Sequence, residues 1–312
     1  MKRTDHPVTD ITLDFFKSHP LPQYSPEADK TTRGRLLIVA GSRHIPGAAV
    51  LAARAALRSG CGGVRLAAPE SIATAIGIAI PELMVIPLPE LGSGGVASAA
   101  SDLILEQAAH CTAAVFGPGL GSEPDTDQLL RGLAASFPLP TVLDASALRA
   151  WGKIERSFSA PRILTPHSAE MSELTALSED EVEAQRQETA LQVAYTSQAV
   201  IALKGRETLV ANPAGQIYKN TAGTCGLGTA GSGDVLAGLI GGLLAQMPED
   251  PTRAALWGVH LHALAGEACE KELGDDAMAA SDIITCLPGV LRYARKQTDR
   301  KNLTERTGLR PA

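Results

Sequence analysis

The sequence predicts an α/β protein with a mainly parallel sheet covered by helices on both faces. Short, wholly apolar runs of strand-forming residues recur along the chain and mostly alternate with helical stretches. Glycine- or proline-rich turns follow several of these runs. Aromatic residues make up only 4% of the 312 residues, so the core must be built from Ala, Leu, Val and Ile. That composition suits helix-on-sheet packing better than an aromatic-rich β-sandwich.

Residues 1–34 are polar and Pro-rich, and predict a short helix around 13–17 followed by an extended arm on the same domain. From Arg35 the pattern changes. Residues 36–40 predict a strand, 47–59 an Ala-rich helix ending at Gly60, and 64–67 a second strand. Residues 113–116, 141–143, 162–164 and 199–203 predict further strands. A hairpin is expected from 209–211 and 216–219, turning through Asn212-Pro213-Ala214-Gly215. After Asp234, residues Val235, Leu236, Leu239, Ile240, Leu243 and Leu244 repeat at helical spacing. Gly238, Gly241 and Gly242 weaken this helix intrinsically, so close packing must hold it. A second helix is expected from near Thr252 through His260 to Cys269. The charged, unpatterned residues 295–312 predict a frayed tail. With no internal repeat or break in composition, residues 35–294 predict a single catalytic domain.

Hydrophobic residues at 45% and charged residues at 20% are ordinary for a globular chain. Lys plus Arg number 28 and Asp plus Glu 34, a net charge of -6 without a dense basic patch, which argues against nucleic-acid binding. The five cysteines are scattered, odd in number and lack C-x-x-C spacing, so neither a disulfide framework nor a zinc site is expected. They are expected to be small buried apolar residues in a reducing compartment. The N-terminus lacks a signal-peptide core, and no stretch is long and apolar enough to cross a bilayer, so a soluble, cytoplasmic protein is expected.

In an open parallel sheet, ligands bind at the carboxyl ends of the strands. Gly41-Ser42, GPGLG at 117–121 and Thr165-Pro166-His167 each follow a predicted strand. Any one of these loops could simply end an element, but three together predict a shared cleft. The strongest segment is GTCGLGTAGSGD at 223–234, directly before an apolar helix. Its glycines let backbone N–H groups face a ligand, and the helix start adds a positive dipole end, a combination suited to phosphate. Asp234 could merely stabilise that dipole. The glycine context favours a general base that takes a proton from a substrate hydroxyl beside the transferred phosphate, kept ionised by the dipole. Gly226, Gly228 and Gly231 match a dinucleotide fingerprint literally, but they lack the required preceding strand. No phosphate-binding G-x-x-x-x-G-K-[ST] segment occurs. Lys204, Gly205, Arg206, Glu207 and Thr208 follow a strand; alone, the lysine would read as a solvated turn charge, but their place before the hairpin that leads to the glycine loop favours a nucleotide pocket. His167 reads equally as a substrate partner or a structural histidine. His260 and His262 stand two apart on one helix, point to different faces, and are poor metal-ligand candidates.

Taken in order, GRLLIVAGS at 34–42, GAA at 47–49, GPGLG at 117–121, LTPHSAE at 164–170, LKG at 203–205 and TAGSGDVLAG at 229–238 form a specific pattern. The chain resembles the ADP- or ATP-dependent dehydratases that repair hydrated NADH and NADPH, members of the ribokinase-like superfamily. The resemblance implies a ribokinase-like three-layer α/β/α sandwich. It implies that the nucleotide phosphorylates the C6 hydroxyl of the hydrated nicotinamide ring, after which phosphate leaves and the dihydropyridine returns. Asp234 would deprotonate the hydroxyl, and Gly231, Ser232 and Gly233 would stabilise the migrating charge and meet the nucleotide with Lys204, Gly205, Arg206, Glu207 and Thr208. Ala48, Gly119, His167 and Asp234 would contact the hydrated dinucleotide. The resemblance also implies Mg²⁺ without a dedicated protein cage, ADP as the bacterial co-substrate, and a homo-oligomer, expected to be a tetramer.

Two departures stand out. The family often carries Asp-Ala-Asp-Ala-Leu where this chain reads Asp144-Ala145-Ser146-Ala147-Leu148, so Asp144 is only a candidate site residue and Ser146 is assigned no role. Many members are fused to an epimerase domain. At 312 residues this chain is expected to lack one, to act on the S epimer alone, and to depend on a separate epimerase or on spontaneous epimerisation. Two rivals share the same pocket: a vitamin kinase that releases a stable phosphomonoester, and a non-catalytic nucleotide sensor. The Thr-Pro-His and Gly-Pro-Gly-Leu-Gly segments favour the dehydratase over the kinase, and an intact Asp234 argues against the sensor.

Overall fold

The computed structural model describes residues 7–25, 27–151 and 160–298. Ten strands form one sheet in these residues: β1 (Val8–Asp10), β2 (Arg35–Val39), β3 (Gly63–Pro69), β4 (Met84–Leu88), β5 (Ala113–Phe116), β6 (Thr141–Leu143), β7 (Arg162–Leu164), β8 (Val200–Leu203), β9 (Thr208–Ala211) and β10 (Ile217–Asn220). Their order is β1-β10-β9-β8-β7-β6-β5-β2-β3-β4. Only the pairings of β9 with β8 and β10 are antiparallel. The others are parallel, as continuous apolar runs buried on both faces require.

Between and after the strands lie α1 (Leu13–Phe16), α2 (Pro46–Arg58), α3 (Glu70–Ala79), α4 (Ser101–Ala108), α5 (Pro124–Ser136), α6 (Ser146–Trp151), α7 (Ser168–Leu174), α8 (Glu179–Ala184), α9 (Arg186–Ser197), α10 (Ser232–Gln246), α11 (Pro251–Leu273) and α12 (Ala280–Thr298). Successive strand residues face opposite sides, so two cores form. Leu36, Ile38 and Val115 pack with residues of α2, α10, α11 and α12. Leu37, Val39 and Phe116 pack with residues of α4, α5 and α9. The result is the three-layer α/β/α sandwich expected from the sequence.

The central helix shows why its glycines are tolerated. A Cβ on Gly238 would stand 2.1 Å from the Ala52 carbonyl oxygen, so glycine is what lets α10 lie against α2. Helix α2 begins with Pro at its first position, where the missing N–H costs nothing.

Two strands lie outside the sequence expectations. β1 adds to β10 at the sheet edge, and β4 forms the other edge, where its Pro87 needs no ladder partner. The arm is tied down because Phe16 stacks on Trp257 at 3.8 Å between centroids, while the Trp257 indole donates to His19 O at 2.8 Å. The expected fraying from residue 295 is corrected as far as Thr298. Helix α12 continues because Ala294 and Thr298 are buried and the Arg295 guanidinium donates to Pro22 O at 2.9 Å. Residues 299–312 lie outside the described residues. No described helix is long and apolar enough to cross a membrane.

Candidate active site

The carboxyl ends of β2, β5, β6, β7 and β8 bring their loops to one edge of the sheet. There α10 begins at Gly231, whose φ of 87° lies in the left-handed region where glycine carries no steric cost. Ser232 is buried just inside, and His262 Nε2 lies 3.1 Å from its carbonyl oxygen and 3.2 Å from its hydroxyl. A carbonyl oxygen only accepts, so Nε2 carries the hydrogen. Burial pushes the His262 pKa down to about 4, which keeps the ring neutral at pH 7.

Asp234 follows in the first turn of α10. Burial, reinforced by the Asp144 carboxylate and opposed by Lys204, pushes its pKa up to about 6. The helix dipole therefore does not set its protonation as the sequence suggested, because desolvation and a like charge outweigh it. At pH 7 most of Asp234 is still ionised.

Lys204 extends from the end of β8 over the same spot. Its Nζ lies 3.2 Å from Asp144 Oδ1 and 3.4 Å from Glu170 Oε2, and 3.6 Å from where a Gly233 Cβ would stand. Burial works against its charge, but Asp144 and Glu170 outweigh burial and raise its pKa above the ordinary lysine value. Thr165 Oγ1 donates to Asp144 Oδ1 at 2.6 Å. The carboxyl ends of β6, β7 and β8 are thus joined through Asp144, Thr165 and Lys204.

Beside this network a cleft of about 1010 Å³ opens toward β9 and α11. His167, Lys204, Gly205, Arg206 and Thr208 line it with Ser232 and Gly233 of the glycine loop. Glu207 does not line it: its carboxylate faces Lys219 Nζ at 3.7 Å. Ala48 and Gly119 meet elsewhere, at the start of α2, where a Cβ on Gly119 would stand 2.7 Å from the Ala48 Cβ. Gly231 and Asp234 also lie outside the cleft lining. The predicted residues therefore do not all share one cleft: Lys204 and Gly233 line it, whereas Ala48 and Gly119 meet at the start of α2 and Gly231 lies against Leu51 of the same helix.

His167 has a structural role and also faces the cleft. It caps α7, its Nδ1 accepting from Glu170 N at 3.3 Å, and it also lines the cleft. His260 is buried with Nδ1 2.9 Å from Asn220 Oδ1, so the two histidines of α11 do serve different faces. One group of three ligand-type side chains appears among the described residues: Cys225, Glu270 and Asp275, with donor atoms within 4.8 Å of one another. Cys225 Sγ already donates to Asp275 Oδ2 at 3.0 Å, and Glu270 accepts from Thr224 Oγ1 at 2.7 Å.

The family model for NAD(P)H-hydrate dehydratase matches residues 36–289, which span all of these loops. The chain belongs to this family. It is 39% identical over 284 residues to the ADP-dependent (S)-NAD(P)H-hydrate dehydratase of Xanthomonas campestris, covering 91% of this chain and 96% of that one. It is 38% identical to the bifunctional NAD(P)H-hydrate repair enzyme of Moorella thermoacetica, covering 89% of this chain and 53% of that enzyme. The chain thus spans about half the length of that bifunctional relative. The crystal structure of the ADP/ATP-dependent NAD(P)H-hydrate dehydratase of Bacillus subtilis, co-crystallised with ATP and Mg²⁺, aligns with a TM-score of 0.79 at 31% identity, covering 92% of this chain and 99% of that one. A ribokinase-like superfamily protein of Enterococcus faecalis aligns with a TM-score of 0.78 at 26% identity.

Within the dehydratase family's frame, the departure at 144–148 acquires a structural account. Ser146 Oγ donates to Gly121 O at 2.5 Å, and Arg149 Nη2 donates to the same oxygen at 2.8 Å. Ser146 therefore ties the Gly-Pro-Gly-Leu-Gly loop to α6. Ala145, between Asp144 and Ser146, has a φ of 46°, a strained value for a residue with a Cβ. Sequence reading also missed Arg186, whose Nη2 donates to the carbonyls of Leu203, Lys204 and Glu207 and so holds the 204–207 turn. No local pattern marks Arg186, because its partners lie 17 to 21 residues away.

Proposed function

We propose that this chain dehydrates the S epimer of hydrated NADH or NADPH at the expense of ADP or ATP. The observation that carries the reading is Asp234: a carboxylate with a pKa near 6, at a helix start beside a glycine loop, with Lys204 close by. A base of that pKa is mostly ionised at pH 7 and can still take a proton usefully.

In this reading Asp234 takes the proton of the C6 hydroxyl as that oxygen bonds to the terminal phosphorus of the nucleotide. The phosphoanhydride bond breaks, and AMP or ADP leaves. Hydroxide is a poor leaving group, whereas the phosphate now on C6 is a good one. The ring nitrogen's electron pair expels it, and loss of the C5 proton restores the C5–C6 double bond. The N–H groups at the start of α10, with the Lys204 ammonium, face the charge that moves with the phosphoryl group. The Lys204–Thr208 turn would take the nucleotide, and Ala48, Gly119 and His167 the hydrated dinucleotide. Asp144 and Glu170 offer the hard oxygen donors that Mg²⁺ prefers, and one or two carboxylates suffice when phosphates and water complete the shell. When bound there, the ion would screen phosphate charge. A homo-oligomer and supply of the S epimer by an NAD(P)H-hydrate epimerase complete the reading.

The test mixes the purified protein with the S epimer of hydrated NADH, Mg²⁺ and either ADP or ATP, and follows dihydropyridine absorbance and free phosphate. Both are expected to rise with at least one nucleotide, and Asp234→Asn to lower the rate by about 10²–10⁴-fold. No rise with either nucleotide sinks the proposal, and a stable phosphomonoester in place of free phosphate would show a kinase.

A further inference from the structure

We propose that Cys269 and Cys286 form a redox-active dithiol, a modification site for hydroperoxides that links α11 to α12. Their Sγ atoms lie 2.8 Å apart, although the residues are 17 positions apart in sequence. The packing of the two helices, not chain proximity, brings them together. The pair is asymmetric: Cys269 is 1% exposed, whereas Cys286 is half-buried and within reach of a small oxidant. The two sulfurs are in direct contact, so oxidation of one places it against the other. Burial raises the Cys269 pKa, and the more accessible Cys286 is the sulfur that a small oxidant meets first.

The chemistry balances with a hydroperoxide as oxidant. The Cys286 thiolate attacks the outer peroxide oxygen, the O–O bond breaks, and an alcohol leaves (water, in the case of hydrogen peroxide), giving a sulfenic acid on Cys286. Cys269 then attacks that sulfur. Its proton leaves with the hydroxyl group as water, and the S–S bond forms. Two thiols are oxidised by two electrons and one O–O bond is reduced.

The bond would close residues 270–285 into a ring against the cleft wall. Within that stretch, Glu270 accepts from Thr224 Oγ1 and Asp275 accepts from Cys225 Sγ, and both Thr224 and Cys225 line the cleft. Of the other described cysteines, Cys225 engages Asp275, and Cys61 the Gly34 and Gly63 carbonyls.

The full chain, treated with hydrogen peroxide, is alkylated under denaturing conditions, digested and analysed by mass spectrometry. A peptide linking Cys269 to Cys286 is expected, together with a chain two hydrogens lighter. The thermal midpoint is expected to rise by about 5 °C, reversed by dithiothreitol. Cys286→Ser, at a half-buried position, should lose the link and the rise, and Cys225→Ser should keep both. Overturning results would be full alkylation of both cysteines after treatment, sulfinic acid on Cys286 without a linked peptide, or a link without any rise in midpoint.

Discussion

Asp234 stands in conflict between stability and chemistry. Its pKa of about 6 lies above the 3.8 of an ordinary aspartate, first because it is buried and then because Asp144 is near. Between these values the folded chain holds more of the proton than the unfolded chain does. Stability from this group is therefore lost as pH rises from about 4 to about 6. Asp234→Asn removes the penalty, and urea unfolding at pH 7 should show a variant more stable by roughly 1–2 kcal/mol. A destabilised variant would contradict the assigned environment. If Asp234 is the base, kcat/KM should fall on the acid side with an apparent pKa near 6. Asp144→Asn removes the neighbouring negative charge, and should move that limb to lower pH. An unmoved limb would mean that another group sets it.

At the scale of elements, α10 illustrates how burial overrides propensity. Alanine favours a helix over glycine by about 1 kcal/mol. At Gly238 its Cβ would meet the Ala52 carbonyl oxygen at 2.1 Å, so Gly238→Ala should instead destabilise by about 1–3 kcal/mol in denaturant unfolding. An unchanged or raised stability would show that α10 and α2 can separate without cost. The strands Ala113–Phe116, Thr141–Leu143 and Arg162–Leu164 were legible to the residue, because short runs rich in Val, Ile, Leu and Phe, bounded by turns, leave little latitude. β1 and β4 were not. Both are edge strands, paired on one side only, and Pro87 further disguises β4.

For the whole molecule, the two buried histidines of α11 set the response to acid. Burial pushes the pKa of His260 and of His262 down to about 4, from an ordinary 6.5. In that window the unfolded chain binds the protons that the folded chain refuses. Stability is therefore present above about pH 6.5 and lost as pH falls toward 4. The sign is opposite to that of Asp234, and two histidines act against one carboxylate. Thermal midpoints should fall between pH 6.5 and 4.5, with net proton uptake on unfolding when calorimetry is repeated in buffers of different ionisation enthalpy. A midpoint independent of pH across this range would mean that the histidines are hydrated or protonated in the fold.

The sequence by itself determined the fold class, the positions of the central strands along the chain, the glycine loop and the position of Asp234 at a helix start. These depend on local pattern, on periodicity and turn residues that lie within a few positions of one another. The tertiary structure alone decided what surrounds each group. Lys204 meets Asp144 across 60 residues of chain, and His262 meets Ser232 across 30. Such contacts exist only once the sheet has brought several strand ends to one edge. The protonation of Asp234 follows from them, because desolvation and neighbouring charge act through space and leave no mark on local sequence.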